Sequence, residues 1–150
     1  QLKDRLSIAT RAANIGVWEW NLITNALAWD EVMYDLFDTD PAQASSTYEM
    51  WRNAVHADDI SSIEADIARH LADPDVNEFK SEFRIRYRNG DIHFIKAEAM
   101  IYRQNGKPIR MIGVNYDMTR LRAMESELLA SQRTLERRVL EQTRELYNEK

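Results

Sequence analysis

The sequence predicts an α+β fold, an antiparallel sheet with its helices on one face, preceded by a short helix and followed by a long helical rod. Three observations carry this. Apolar and polar residues alternate over residues 16–23 and 79–87, Ile95, Ala97, Ala99 and Ile101 share one face of a third stretch, and turn signals join these to two further strand-like stretches. Between these groups the apolar spacing is helical. From Arg120 to Lys150 there is no Gly or Pro, and Leu, Glu, Arg and Gln dominate, as in a long helix.

Leu2 to Asn14 has apolar residues at Leu2, Leu6, Ile8, Ala9, Ala12 and Ala13, a loose helical pattern before Gly16. It reads equally well as a helix packed on its own domain or as part of a dimer contact. Gly16 to Ile23 alternates, with Trp18, Trp20 and Leu22 on one face and Glu19 and Asn21 on the other, which is the period of a strand. Thr24-Asn25 turns it, and Ala26 to Trp29 returns. The indoles of this hairpin either fill a core or stack on a planar ligand.

Asp30 is placed to cap a short helix, Glu31 to Phe37. Residues 38–46 are a loop by composition, and Thr47 is placed to cap a helix over Tyr48 to Val55. Met50 stands where a capping box needs Glu or Gln. Asp58 or Asp59 opens the next helix, through Ile60, Ile63, Ile67 and Leu71, which ends before Asp73-Pro74. Phe79 to Tyr87 alternates cleanly, with Phe79, Ser81, Phe83, Ile85 and Tyr87 on one face. Asn89-Gly90 is a strong hairpin signal, because both residues tolerate positive φ. Asp91 to Arg103 pairs back, with Ile95, Ala97, Ala99 and Ile101 on one face, and residues 104–108 turn again into a last strand, Ile109 to Thr119. That strand runs straight into the rod. Thr119, and behind it Asp117, sit where a helix start needs a side-chain acceptor.

Composition narrows the function classes. With no Cys among 150 residues there is no disulfide, thiolate metal site or Cys nucleophile, which fits a reducing, cytoplasmic setting. No apolar run approaches the roughly 20 residues that cross a bilayer, and no signal peptide is visible. The net charge is -5, and residues 119–150 hold seven Lys/Arg against six Asp/Glu, so the negative charge belongs to the preceding part. Such a surface repels phosphate backbones and argues against nucleic-acid binding.

Catalytic and metal machinery is not found. Gly16, Gly90, Gly106 and Gly113 are scattered, so no phosphate-cradling loop forms. His56, His70 and His93 lack zinc-site spacing. His56-Ala-Asp-Asp59 reads as a helix start with Asp caps more readily than as a reactive cluster. His70 lies where an axial haem ligand would sit, although a lone helical His more often packs or faces solvent. No nucleophile–base string supports an enzyme. The first residue, Gln1, and the unfinished last helical turn suggest a fragment excised from a longer protein.

Several strings converge on a family. Trp51-Arg-Asn-Ala-Val-His-Ala-Asp-Asp59, then Glu82 to Ile95, then Gly106-Lys-Pro, then Ile112-Gly-Val-Asn-Tyr-Asp-Met-Thr119 together resemble the PAS sensor domain with its C-terminal PAC motif. Gly16-Val-Trp-Glu-Trp-Asn-Leu looks like the first strand of that family, and the resemblance covers about residues 14–119. Asp117-Met-Thr119 is similar to the Asp-Ile-Thr triad that joins such domains to an output helix, with Met118 in place of Ile. Leu135 to Leu146 resembles the coiled-coil linkers that precede histidine kinase or diguanylate cyclase domains in bacterial signalling proteins.

The resemblance implies a flanking helix over residues 1–14, a PAS/PAC sensor domain over 15–119 and a coiled-coil signalling helix over 120–150. It also implies a five-stranded sheet cupping a cavity, and a regulatory role without catalysis. Asn115 matches the cavity-facing Gln of the light-oxygen-voltage branch and is the first candidate for a cavity polar group. Trp20, Phe83, Ile95 and Ala97 are candidate walls, with core packing the alternative for each. That branch's photochemistry needs a Cys, which this chain lacks. The expected cofactor is none, with a small-molecule ligand allowed and haem or non-covalent flavin disfavoured. Asp117 and Thr119 are expected to fix the strand–rod junction. Leu121, Leu128, Leu135 and Gln142 recur every seven residues, with Met124 and then Val139 and Leu146 in the second seam position. The expected partners are a second copy, joined as a parallel dimer through this seam, and a covalently linked output domain.

Overall fold

The computed structural model of the chain describes residues 2–149. Backbone packing divides the chain after Asp117 into two units. In the first, α1 (Leu2–Ala12) precedes the hairpin of β1 (Gly16–Asn21) and β2 (Leu27–Trp29). Three helices follow, α2 (Glu31–Leu36), α3 (Tyr48–Ala54) and α4 (Ala57–Ala72). The long strands β3 (Glu78–Arg86), β4 (Ile92–Gln104) and β5 (Lys107–Asp117) complete the unit. The sheet has five strands in the order β2-β1-β5-β4-β3, all antiparallel. The first hairpin therefore lies against the last strand, and β5 is central.

Burial follows the alternation expected of a sheet covered on one face. Phe79, Phe83 and Ile85 of β3, Ile95, Ala97, Ala99 and Ile101 of β4, and Met111 and Asn115 of β5 are buried. Against them pack Val32, Met33 and Leu36 of α2 and Ile63 and Ile67 of α4. By contrast, α3 buries no residue fully. It is the looser wall.

The local chemistry of several turns and caps differs from the sequence expectation. Asp30 caps α2 as expected, accepting from Met33 N at 2.9 Å. Thr47 stands at the cap position of α3 but makes no capping hydrogen bond; its hydroxyl instead lies 3.1 Å from that of Ser45. The start of α4 is capped by His56, whose Nδ1 accepts from Asp58 N at 3.0 Å, rather than by Asp58 or Asp59. Asp59 is drawn to β3: its carboxylate accepts from Arg84 Nε at 3.0 Å, Nη2 at 2.7 Å and backbone N at 2.8 Å. A two-pronged guanidinium outcompetes a neutral amide for a carboxylate.

The hairpins also exchange roles. At Asn89-Gly90 only Gly90 has positive φ, 93°, and Gly90 N donates to Tyr87 O. This is a three-residue loop closed by a glycine bulge. The two-residue turn with both central residues at positive φ is Asn105-Gly106, at 53° and 79°, between the paired Gln104 and Lys107. On the far side of the sheet end, the Arg103 guanidinium donates to His70 O at 3.0 Å, Leu71 O at 3.1 Å and Asp73 O at 2.8 Å. It thereby satisfies carbonyls that the last turn of α4 leaves without helical partners.

The second unit is one helix, α5 (Thr119–Asn148), 30 residues long. Its cap position falls on Met118, which makes no side-chain capping bond, so Thr119 is the first helical residue rather than the cap. The backbone of Met118, at φ -100° and ψ 4°, has already left the strand conformation, and the helix begins directly behind it. The expected seam residues Leu121, Met124, Leu128, Leu135, Val139 and Leu146 are all exposed on this helix. No described helix is long and apolar enough to cross a membrane.

Candidate functional site

Between the sheet and the helices lies a cavity of about 50 Å³. Its floor is the inner face of the sheet: Trp18 and Trp20 of β1, Phe83 of β3, Ala97 of β4 and Asn115 of β5. Its roof is Met33 of α2, Tyr48 and Trp51 of α3, and Ile63 and Ile67 of α4. Ala97 contributes space, because a larger side chain at that position would project into the cavity. Of the candidates expected from sequence, Asn115, Trp20, Phe83 and Ala97 meet here. Ile95 does not line it: it pairs with Phe83 and Asp117 and is sealed in the core at 1% exposure.

Asn115 is the buried polar residue among those described, 2% exposed. Its Oδ1 accepts from Trp18 Nε1 at 2.9 Å. Gly113 makes this bond possible. A Cβ there would lie 2.4 Å from Trp18 Cζ2 and 2.8 Å from Glu98 O, so only glycine lets the indole lie across β5 towards Asn115.

An aromatic chain closes one side. Trp20 stacks on Tyr48 at 4.8 Å between centroids, Tyr48 meets Trp51 at 5.3 Å, and Trp51 meets Phe83 edge-on at 5.7 Å. The Tyr48 hydroxyl donates to Glu64 Oε2 at 2.9 Å. Burial first, and then this carboxylate, hold the phenol far above its usual pKa, so it remains the donor. Arg52 Nε also reaches Glu64, at 3.3 Å, which fastens α3 to α4. Sequence reading missed Tyr48 and Trp51 as cavity residues, while Trp18 was among the hairpin indoles read as core or stacking residues. The signal for the first two was present, since Tyr48 and Trp51 are three apart and share a helix face.

The histidines hold no common centre. Groups of His, Asp and Glu able to hold a metal ion are absent among the described residues. His70 Nδ1 lies 2.7 Å from Asp66 O and its ring packs edge-on against Phe79, outside the cavity lining. It is not placed as an axial haem ligand, and the space is far below the ~300 Å³ at which cofactor-sized pockets begin. His93 has a different role. Its Nδ1 lies 2.7 Å from Asp117 Oδ2, and its ring stacks on Tyr87 at 4.0 Å. His93 of β4 is thus one partner of the Asp117 carboxylate.

A buried floor of five antiparallel strands, helices over one face and a last strand leading into a helix define the architecture. Residues 26–115 match the pattern of the PAS fold. The chain belongs to the PAS family. It is 30% identical over 135 residues to the probable diguanylate cyclase DgcE of Escherichia coli (strain K12), covering 90% of this chain and 12% of that protein. The chain thus spans about one-eighth of the length of that relative. Among solved structures it is similar to a sensory box histidine kinase/response regulator from Burkholderia thailandensis, at 26% identity and a TM-score of 0.70. That match covers 89% of this chain and 98% of the other. The N-terminal domain of a diguanylate cyclase with PAS/PAC sensor from Marinobacter aquaeolei shares the fold, at 18% identity and a TM-score of 0.60 over 70% of this chain and 95% of that one. Domains similar to this one therefore occur in a probable diguanylate cyclase and in a sensory box histidine kinase/response regulator.

Proposed function

We propose that this PAS domain is a non-catalytic sensor and dimerisation module of the bacterial cytoplasm, which regulates a histidine kinase or diguanylate cyclase domain linked after residue 150. The observation that carries the reading is the course of β5. Asn115 stands in the cavity wall, and four positions later Thr119 is the first residue of α5. A change that a ligand makes at Asn115 therefore acts on the segment from which the helix starts. The proposed division is a flanking helix over 1–14, a sensor over 15–119 and a signalling helix over 120–150.

The exposed leucines of α5 support a second copy as the partner. Their seven-residue spacing is what two parallel helices need to bury them against each other. Light scattering of the chain should show a dimer that weakens when residues 120–150 are deleted. A monomer at all concentrations would remove this part of the proposal.

The small cavity favours one alternative, a ligand-free dimerisation spacer. Filling the cavity separates the two. With the natural output domain attached, Ala97→Leu should change its activity while circular dichroism stays native. If Ala97→Leu and other cavity-filling variants leave the activity untouched, the spacer reading replaces the sensor.

A further inference from the structure

We propose that the cavity beside β5 takes a small, uncharged, mainly apolar molecule carrying one hydrogen-bond acceptor, such as a carbonyl oxygen, held against Asn115 Nδ2. The inference rests on the reading of this cavity as the sensing site and names the chemistry of what is sensed.

The orientation of the amide is the first step. An indole N–H only donates, so the Asn115 atom 2.9 Å from Trp18 Nε1 is the oxygen. The other end is then the NH₂ group, which offers donors and no acceptor. No further hydrogen bond of this side chain is found among the described residues. Asn115 is 2% exposed and lines the cavity, so that donor end is left facing it. No side-chain nitrogen or oxygen is sealed off without a partner among the described residues, so this amide end is reachable from the cavity, where a ligand oxygen would give it an acceptor.

Two other polar groups of the wall are engaged. The Tyr48 hydroxyl donates to Glu64 and Trp20 Nε1 donates to Asn25 Oδ1 at 3.0 Å. None of the lining residues is Asp, Glu, Lys, Arg or His. A charged molecule would lose its hydration and meet no counter-ion. The aromatic faces alone would suit an ammonium group, but the amide presents its positive end to the same space. Size sets the last limit. An apolar cavity of ~150 Å³ is filled by benzene, so about 50 Å³ admits only a few heavy atoms.

Three Y-shaped molecules of nearly equal size test this: acetone, its apolar isostere isobutene, and acetate. Each is titrated into the ¹⁵N-labelled full chain while the Asn115 side-chain amide and Trp18 indole signals are followed by NMR. Acetone should shift both signals saturably. Isobutene should bind roughly 3–10-fold more weakly, the worth of one net hydrogen bond, and acetate should not bind. Asn115→Leu should abolish the preference for acetone over isobutene; if that variant does not fold, the wild-type ranking decides alone. Isobutene binding as well as acetone, acetate binding, or no probe moving these signals would each overturn the inference. Failure here with Ala97→Leu still altering output activity leaves the sensor reading intact. Acetone binding as expected while cavity variants leave output unchanged does the reverse.

Discussion

His93 Nδ1 and Asp117 Oδ2 lie 2.7 Å apart, joining the start of β4 to the end of β5 at the last residue of the sheet. Both side chains are about three-quarters buried, at 24% and 22% exposure. Asp117→Ala and His93→Ala should each fold, lose about 0.5–1.5 kcal/mol and uncouple the sensor from its output. Chemical denaturation of both single variants and the double variant measures the pair directly. If the single losses simply add in the double variant, the two residues are not coupled. Thr119→Ala, at the first helical residue, is expected to affect output control as well. Since the cap position is Met118, its effect is not a lost N-cap. The junction account fails if Asp117→Ala and Thr119→Ala both leave regulation intact.

Gly113→Ala should be far more damaging than its size suggests. The added methyl would meet Trp18 at 2.4 Å and the rigid backbone carbonyl of Glu98 at 2.8 Å. The indole must leave β5, which breaks its bond to Asn115 and strands a buried amide oxygen. A loss of about 2–4 kcal/mol is expected from overpacking together with an unsatisfied polar group. Denaturation would show it, with the Trp18 indole signal displaced by NMR. A variant as stable as the parent chain would mean that the Trp18–Asn115 bond does not hold the cavity wall.

Asp59 makes stability depend on acid. Its hydrogen bonds from Arg84 hold its pKa below the usual 3.8, outweighing the opposing effect of burial. A folded-state pKa below the unfolded one means the contribution is fully present above the unfolded value and is lost as pH falls through the folded value. Asp59→Asn should therefore cost about 1–2 kcal/mol at neutral pH, and the difference from the parent chain should shrink well below pH 3.8. Urea midpoints at pH 7 and near pH 2.5 make the comparison. A difference independent of pH would point to lost packing instead.

How far the sequence reached depends on the range of the interaction. Period-2 patterning located β1, β3 and β4, turn signals brought in β2 and β5, and the Asp30 cap was readable because it bonds three residues away. Asn115 was found through the family pattern, and the structure places it in the cavity wall. Its partner Trp18 is 97 residues distant and is brought there by the pairing of β1 with β5, which no local pattern encodes. Gly113 was a local hint, because glycine inside a strand often marks a close approach. The misplaced cap at α4 has the same origin. Asp58 and Asp59 are both good caps by type, but Arg84, 25 residues on, takes the second, and His56 supplies the capping bond to Asp58 N.

The central claim is that a change at the cavity passes through α5 to an output domain, and the phase of that helix tests it most directly. Thirty helical residues span about 45 Å, so a signal must travel along packed helices as rotation, bending or a change of register. One or two residues inserted after Leu135 turn everything downstream by about 100° or 200°, whereas seven restore the seam. Activity of an output domain fused after residue 150 should therefore oscillate with insert length and recover at seven. A smooth decline with length would contradict the account and mark α5 as a tether.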